Sequence, residues 1–245
     1  MNKLRYLTAS LKAIQTYRKF KDATMIERPQ YIENLALAAS ATCSVPGSVV
    51  ECGTWRGGMA AGLVETMGSD RHYFFFDSFE GLPEAKDVDG PAAIAYQADV
   101  TAETYRDNCR ASLEDFSQVI SRTALPTSHC HTIKGFYETT LPKFDIASTE
   151  PIAVLRLDAD WYDSTIICLR TFWASVAEGG IVLIDDYHTW AGCTKAVNEF
   201  FAASDPPQRI SQGPIGRVSY VIKRGSAPCS PETSPALAQG CRRIG

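Results

Sequence analysis

Two acidic clusters dominate the chemistry that this chain could perform, and each one directly follows a short apolar segment. Asp158-Ala159-Asp160 comes after residues 152–157, and Asp185-Asp186 comes after residues 181–184, 27 positions further on. Parallel strands end at one edge of a sheet, where ligands bind, so the carboxylates of Asp158, Asp185 and Asp186 are expected to meet there. Converging carboxylates repel each other unless a cation joins them, and oxygen ligands suit Mg²⁺, Ca²⁺ or Mn²⁺. The alternative is that these acids cap helices or lie in loops.

A glycine-rich turn after an earlier strand indicates a second binding function. Residues 48–52 read as a strand, and the chain continues through Gly53-Thr54-Trp55-Arg56-Gly57-Gly58 into a helix. Such a turn lets the backbone approach a ligand closely, and it is not a Walker A loop because Gly-Lys-Ser/Thr is missing. The next strand ends at Asp77, 24 residues after Gly53. An acid at that place accepts hydrogen bonds from the ribose hydroxyls of an adenosine.

The glycine turn and Asp77 together favour a ligand that contains adenosine, although Asp77 would also fit as the cap of a turn through Ser78. NAD, S-adenosylmethionine (SAM) and a bare nucleotide are the alternative ligands. Glu51 stands just before the turn. Its carboxylate would repel a pyrophosphate but attract the ammonium and sulfonium groups of SAM, so the sequence favours SAM.

The elements that must position these residues alternate between strand and helix at least five times, which is typical of a mostly parallel sheet covered on both faces. Residues 1–22 predict an amphipathic basic helix, and residues 81–98 an irregular loop of the kind that often forms a lid. Further helices are predicted over residues 29–42, 57–67, 102–119, 164–176 and 192–201, and strands over 48–52, 73–76, 131–134, 152–157, 181–184 and 218–223.

Composition excludes several classes of protein. The chain has 245 residues, of which 45% are hydrophobic, and this fits one α/β domain with a sizeable core. The net charge is −4 and no basic stripe dominates, so nucleic acid is not an expected partner. There is no apolar run of about 18 residues and no secretory signal, so we expect a cytoplasmic protein outside the membrane. The eight cysteines form no C-x-x-C pair, which favours reduced thiols over disulfides or a zinc site.

Taken together, these segments resemble the macrocin-type (TylF-like) O-methyltransferases, SAM- and Mg²⁺-dependent enzymes that methylate hydroxyl groups of antibiotic sugars and phenols. The similarity spans roughly residues 20–225. Its most specific segments are Asp77-Ser78-Phe79-Glu80-Gly81-Leu82-Pro83, Leu155-Arg156-Leu157-Asp158-Ala159-Asp160 and Asp185-Asp186-Tyr187. The resemblance implies a Rossmann-like class I methyltransferase fold, with a seven-stranded, mostly parallel sheet, helices on both faces and an N-terminal helical extension.

The resemblance also implies a domain plan and a set of site residues. Residues 1–45 would form the helical extension, residues 46–224 the SAM-binding domain and residues 225–245 a flexible tail. Thr24 and Met25 would close over SAM. The residues implied to hold the methionine portion of SAM are Glu51, Cys52, Gly53, Thr54 and Trp55. Those implied to hold its ribose and adenine are Asp77, Ser78, Phe79, Glu80 and Gly81, with Gly135 nearby. The resemblance implies that one divalent ion is bound by Asp158, Asp185 and Asp186.

For the chemistry, we expect Mg²⁺ to chelate two neighbouring oxygens of a small hydroxylated acceptor and to lower the pKa of the hydroxyl that is methylated. Asp158 is the first candidate for the base. His188 is the second, because a histidine beside the acidic pair has a suitable unperturbed pKa, although it also fits a surface loop. A homodimer is expected, with the N-terminal helix packing on its own domain or on the partner subunit.

Three other functions compete with this interpretation. Asp158-Ala159-Asp160 is a D-x-D sequence, which metal-dependent glycosyltransferases use to hold a nucleotide sugar, but that function leaves Glu51, the glycine turn and Asp77 unexplained. A non-catalytic SAM-binding domain would not require the acidic clusters. A nicotinamide dehydrogenase is disfavoured by Glu51 and by the missing third glycine of the dinucleotide-binding sequence.

Overall fold

Seven strands form one sheet in the computed structural model, which describes residues 3–148 and 151–225. The strands are β1 Ser48–Cys52, β2 Tyr73–Asp77, β3 Cys130–Lys134, β4 Ile152–Leu157, β5 Val176–Ile184, β6 Ile210–Gln212 and β7 Ser219–Ile222. Their order is β3-β2-β1-β4-β5-β7-β6. The five strands β1 to β5 pair in parallel, whereas β7 runs antiparallel to β5 and to β6. The expected fold class, a mostly parallel seven-stranded sheet, is confirmed, while the tail beyond Gly225 lies outside the described residues.

Helices cover both faces of this sheet because its central strands are apolar on both sides. All five residues of β1 and all six of β4 are buried, which is typical of parallel strands between two helical layers. Side chains alternate between the layers: Val49 and Val154 join one core cluster, and Val50 and Leu155 join the other. The α-helices are α1 Lys3–Phe20, α2 Arg28–Ala41, α3 Gly58–Met67, α4 Pro91–Ala98, α5 Leu113–Ile120, α6 Tyr137–Thr140, α7 Tyr162–Phe172 and α8 Ala191–Ala202.

The helix predicted over residues 102–119 is wrong in its first half. Helix α5 begins only at Leu113, after the hydroxyl oxygen of Ser112 accepts a hydrogen bond from the Asp115 N–H as an N-cap. Upstream of it, Asp107, Asn108 and Cys109 have φ values of 50°, 51° and 57°. A right-handed helix cannot continue through left-handed residues, and side chains other than glycine adopt that region only at a cost.

Asn108 is held in this turn by the segment that was predicted to form the irregular loop, residues 81–98. Its side-chain N–H donates to the Leu82 carbonyl at 2.8 Å, and its own carbonyl accepts from the Leu82 N–H at 2.9 Å. The amide of Gln97 donates to the Asn108 side-chain oxygen at 2.9 Å. Gln97 lies in α4, so the predicted irregular loop over residues 81–98 contains a helix, and its hydrogen bonds fix the adjacent turn.

The N-terminal helices share one core with α3 and the sheet. Phe20 of α1 and Leu35 of α2 are fully buried in the same cluster as Val49 of β1. Buried Glu33 of α2 accepts hydrogen bonds from three backbone N–H groups of the β6–β7 connection, at Ile215, Gly216 and Val218. Within the described ranges, none of the helices has the length and apolar character that crossing a membrane requires. The domain boundary near residue 45 stays a prediction.

Candidate active site

The acidic clusters lie at one edge of the sheet because β1, β4 and β5 are neighbours and end at the same level. The N–H of Asp158 donates to the carbonyl of Cys52 at 2.9 Å, and the N–H of Asp185 donates to the carbonyl of Leu157 at 3.0 Å. The parallel ladder thus extends one residue beyond each strand. The chain then leaves the sheet, and the carboxylates that follow are at the edge where parallel sheets bind ligands.

Three of these carboxylates converge. Asp158, Asp160 and Asp186 each offer an oxygen atom within 4.8 Å of those of the other two. Asp160 reaches the group because its φ of 55° turns the backbone there, and its N–H donates to Asp186 Oδ2 at 3.3 Å. Trp190, at the N-terminus of α8, donates its indole N–H to Asp160 Oδ1 at 2.9 Å. The sequence indicated Asp158 and Asp186 as metal ligands, but it did not indicate Asp160.

Asp185 lies beside this group and is held by contacts of its own. Its Oδ1 is 3.0 Å from Nη2 of Arg156 and accepts a hydrogen bond from Asn34 Nδ2, also at 3.0 Å. Arg156 is a cation at the penultimate position of the buried strand β4, and Asn34 comes from α2. Both contacts were missed from the sequence. The sequence did contain a signal for the contacts of Arg156. A buried charge between apolar residues needs a partner of opposite charge, and Glu51 lies at the position of β1 that pairs with Arg156.

The carboxylates raise each other's pKa in this crowded group. Burial raises the pKa of Asp158 to about 6, and the negative charge of Asp185 adds to the rise while the Arg156 guanidinium opposes it. Burial and then the charge of Asp158 raise the pKa of Asp160 to about 8. The pKa of Asp186 is likewise well above its ordinary value, chiefly through burial. A divalent cation would favour the ionised forms, so these oxygen donors fit a metal chemically.

Asp77 organises the neighbouring part of the site. Its Oδ2 accepts hydrogen bonds from the backbone N–H groups of Thr54 at 2.8 Å and Trp55 at 2.9 Å, and its Oδ1 accepts from Phe79 N–H at 2.7 Å. One carboxylate thereby ties the glycine turn after β1 to the loop after β2. Gly53 has a φ of +87°, and a Cβ there would stand 1.8 Å from the carbonyl oxygen of Asp158. Glycine is the residue that can occupy this position.

A cavity joins the two halves of the site. Its wall contains part of the glycine turn together with Asp158 and Asp160. A smaller cavity beside it shares part of this wall and is also lined by Thr24, Thr54 and Arg156. The residues lining the larger cavity are Met25, Gly53, Trp55, Asp77, Ser78, Gly81, Leu82, Pro83, Cys109, Gly135, Phe136, Tyr137, Asp158, Ala159, Asp160 and Ser164.

The remaining residues implied by the resemblance lie behind these walls or away from them. Glu51 and Cys52 are fully buried in β1, and Phe79 packs against Phe116 in the core. Glu80 is exposed. Glu51 accepts a hydrogen bond from Arg156 Nη1 on Oε1, whereas its buried Oε2 has no partner among the described residues.

His188, the second candidate for the base, is exposed, and it lines neither cavity. Its Nε2 lies 2.9 Å from the side-chain nitrogen of Gln212 and 3.2 Å from the hydroxyl of Ser219. Those contacts hold the imidazole against β6 and β7. Asp158, the first candidate, borders both cavities.

Solved structures of known proteins have the same fold. The O-methyltransferase NovP matches with a TM-score of 0.65 over 91% of this chain and 99% of that chain, at 22% identity. A calicheamicin methyltransferase, CalS11, matches with a TM-score of 0.60 over 86% of this chain and 91% of that chain, at 19% identity. The chain therefore has the Rossmann-like fold of methyltransferases.

The sequence places the chain in a family within that fold. The model of the macrocin O-methyltransferase (TylF) family matches residues 17–213. The chain belongs to this family, which confirms the resemblance. A relative from Streptomyces olivaceus, 8-demethyl-8-(2,3-dimethoxy-alpha-L-rhamnosyl)-tetracenomycin-C 4'-O-methyltransferase, is 34% identical over 68% of this chain and 63% of its own length. The match thus spans about three fifths of the relative's length.

Proposed function

We propose that this protein is an O-methyltransferase that uses SAM and Mg²⁺ to methylate a hydroxyl group of a small-molecule natural product, a sugar or a phenol. The observation that carries the proposal is one cavity whose wall includes Gly53, Asp77, Asp158 and Asp160. A donor held at the first two residues would lie beside an acceptor held at the last two. Close, aligned reacting atoms supply much of the rate of a displacement at a methyl carbon.

SAM would be bound through the residues that the family resemblance implies. Gly53 and Asp77 support this directly, since both line the cavity and Asp77 fixes the turn around it. Glu51 stands two residues before Gly53, and its buried Oε2 has no partner among the described residues, so an ammonium group of the ligand would satisfy this oxygen. The proposed cofactor residues are Thr24, Met25, Glu51, Cys52, Gly53, Thr54, Trp55, Asp77, Ser78, Phe79, Glu80, Gly81 and Gly135.

The metal would be held by Asp158 and Asp186, as the resemblance implies, and by Asp160, whose carboxylate oxygen converges with theirs. Asp185, the third ligand that the resemblance implies, would use Oδ2, since Arg156 and Asn34 hold its Oδ1. When bound, Mg²⁺ would lower the pKa of the acceptor hydroxyl and orient its oxygen. Asp158 is the proposed base, because its carboxylate lines the cavity in which the hydroxyl would lie. His188 remains the second candidate and would need to move from its contacts with Gln212 and Ser219.

Relatives and the aromatic residues near Asp160 support a sugar or a phenol as acceptor. The Streptomyces olivaceus relative methylates a rhamnosyl tetracenomycin, and a relative from Micromonospora griseorubida, mycinamicin III 3''-O-methyltransferase, is 33% identical over 64% of this chain. In this chain the ring of Trp190 lies 5.1 Å from that of Trp161 and 5.7 Å from that of Tyr96, between ring centroids. Trp161 is buried, whereas the partly exposed ring of Trp190 offers an aromatic surface beside Asp160 for a sugar ring or a phenol.

The test of the function is a mass increase of one methyl group on candidate glycosides or polyphenols incubated with the protein, SAM and Mg²⁺. Calorimetry separates the rival function, since binding of UDP-sugars in place of SAM would favour a D-x-D glycosyltransferase. Binding of neither ligand, together with no methylated product, would contradict both functions.

We also infer that the protein forms a homodimer through α1, whose exposed face carries leucines among basic residues. Leu7 is 52% exposed and Leu11 is 67% exposed, one turn apart on that face. Residues 1–21 contain six Lys or Arg and no acid, whereas the rest of the chain has 28 acidic and 18 basic residues. Outside α1, a second copy of the chain therefore carries a net negative charge that attracts the basic helix. This charge favours a second copy, rather than another basic helix, as the binding partner of α1.

Replacing both Leu7 and Leu11 with Gln is expected to shift the protein from dimer to monomer in analytical ultracentrifugation. Burial of a leucine contributes about 1.5–3 kcal/mol, so two lost contacts in each subunit weaken association strongly. Val100→Gln with Ile215→Gln is the matched control, because these residues are 60% and 53% exposed elsewhere. A monomeric native protein, or a dimer that survives the leucine substitutions, would contradict the interface.

A further inference from the structure

A single buried guanidinium connects both halves of the site. Arg156 is fully buried in β4. Its Nη1 lies 2.9 Å from Glu51 Oε1, its Nη1 and Nη2 both lie 3.1 Å from Asp158 Oδ2, and its Nη2 lies 3.0 Å from Asp185 Oδ1. Three carboxylates from three neighbouring strand ends thus share one cation.

The register of the sheet explains this convergence. Arg156 pairs with Glu51 of β1 on one side and with Leu183 of β5 on the other. Side chains two positions apart share a face of a sheet, so Asp158 and Asp185 point to the same face as these pairs, one step closer to the rim. The guanidinium therefore lies one layer beneath Asp185 and beneath Asp158, which borders both cavities.

We infer that Arg156 is a positioning residue that joins the cofactor half of the site to the metal half. The inference rests on the proposed function, and it assigns Arg156 the task of fixing the oxygens of Asp158 and Asp185 while holding Glu51 beneath the glycine turn. Arginine suits this task because its planar fork offers several donors in fixed directions, whereas lysine presents one compact charge.

Charge and geometry both point to this role. Without a cation, three carboxylates in a buried layer would repel each other, and one guanidinium offsets a single charge. The carboxylates nearer the rim of the sheet therefore keep a net negative charge, which would attract a divalent ion. Asn34 donates a hydrogen bond to the same Oδ1 of Asp185 at 3.0 Å, so residues of both β4 and α2 hold this carboxylate in place.

Arg156→Lys keeps the charge but removes the fork, and it tests this role through binding alone. We expect the affinity for Mn²⁺, titrated by calorimetry without SAM, to fall by at least about tenfold, because removing a group that orients metal ligands typically weakens metal binding to this extent. The affinity for S-adenosylhomocysteine, titrated without metal, should fall by about threefold, the effect of one weakened hydrogen bond to a charged group. Leu155→Ala, on the opposite face of the same strand, is the control, and it should lower stability but leave both affinities unchanged.

Glu51→Gln keeps the proposal testable if Arg156→Lys does not fold. Glu51 lines neither cavity, yet the link through Arg156 predicts that this substitution weakens binding of Mn²⁺ as well as of S-adenosylhomocysteine. Loss of S-adenosylhomocysteine affinity alone, or a folded Arg156→Lys protein with native Mn²⁺ affinity, would overturn the inference. A native protein that binds neither probe would instead refute the proposed function.

Discussion

Asp186→Asn is expected to lower kcat/KM for methyl transfer by about a thousandfold, or roughly 4 kcal/mol of transition-state stabilisation, in saturating Mg²⁺. Asp186 is 8% exposed, and its carboxylate lies in the group with Asp158 and Asp160. An amide keeps the shape of the side chain but removes a charge that a divalent ion requires. EDTA should likewise abolish turnover of the native enzyme and leave SAM binding, measured by calorimetry, largely intact.

Asp163→Asn is the matched control for this effect. Asp163 lies in α7, after β4, and pairs with Lys86 at the surface, where its side chain is 45% exposed. Exposed ion pairs contribute little, so activity and Mg²⁺ affinity should stay near those of the native protein. Asp158→Asn and Asp185→Asn, titrated with Mn²⁺, would rank the remaining ligands. Full activity of Asp186→Asn, with no response to EDTA, would remove the metal from the mechanism.

Gly53→Ala is expected to reduce SAM affinity by at least about a hundredfold, which corresponds to roughly 3 kcal/mol. The added methyl group would stand 1.8 Å from the carbonyl oxygen of Asp158, and the φ of +87° is unfavourable for alanine. The turn must therefore move, and with it the N–H groups of Thr54 and Trp55 that Asp77 holds. Calorimetry with SAM, paired with thermal unfolding, measures both consequences.

Gly68→Ala separates backbone strain from the steric effect at the turn. Gly68 has a φ of +95°, close to that of Gly53, but a Cβ there would meet no atom within 4 Å. This control should lower stability by about 1 kcal/mol and bind SAM normally. Equal SAM affinities for both variants would mean that the turn at Gly53 is not part of the cofactor site.

Local sequence patterns determined the sheet and the edge at which its acids lie. Continuous apolar segments such as residues 181–184 predicted buried parallel strands, because a strand between two helical layers needs apolar side chains on both faces. The acids after those strands were then expected at one rim. The spacing of Gly53 and Asp77 placed the glycine turn beside an acidic strand end in the same way. These features depend on a few neighbouring residues, so the sequence displays them directly.

Tertiary contacts decided which way each acid points. Asp185 faces Arg156 and Asn34, and Asn34 comes from a helix about 150 residues earlier in the chain. Asp160 joins the cluster through a left-handed backbone turn and an indole N–H donated by Trp190. The helix predicted through residues 102–112 likewise gave way to hydrogen bonds from distant residues. The direction of a side chain at a strand end depends on partners brought by folding, and no spacing along the chain encodes them.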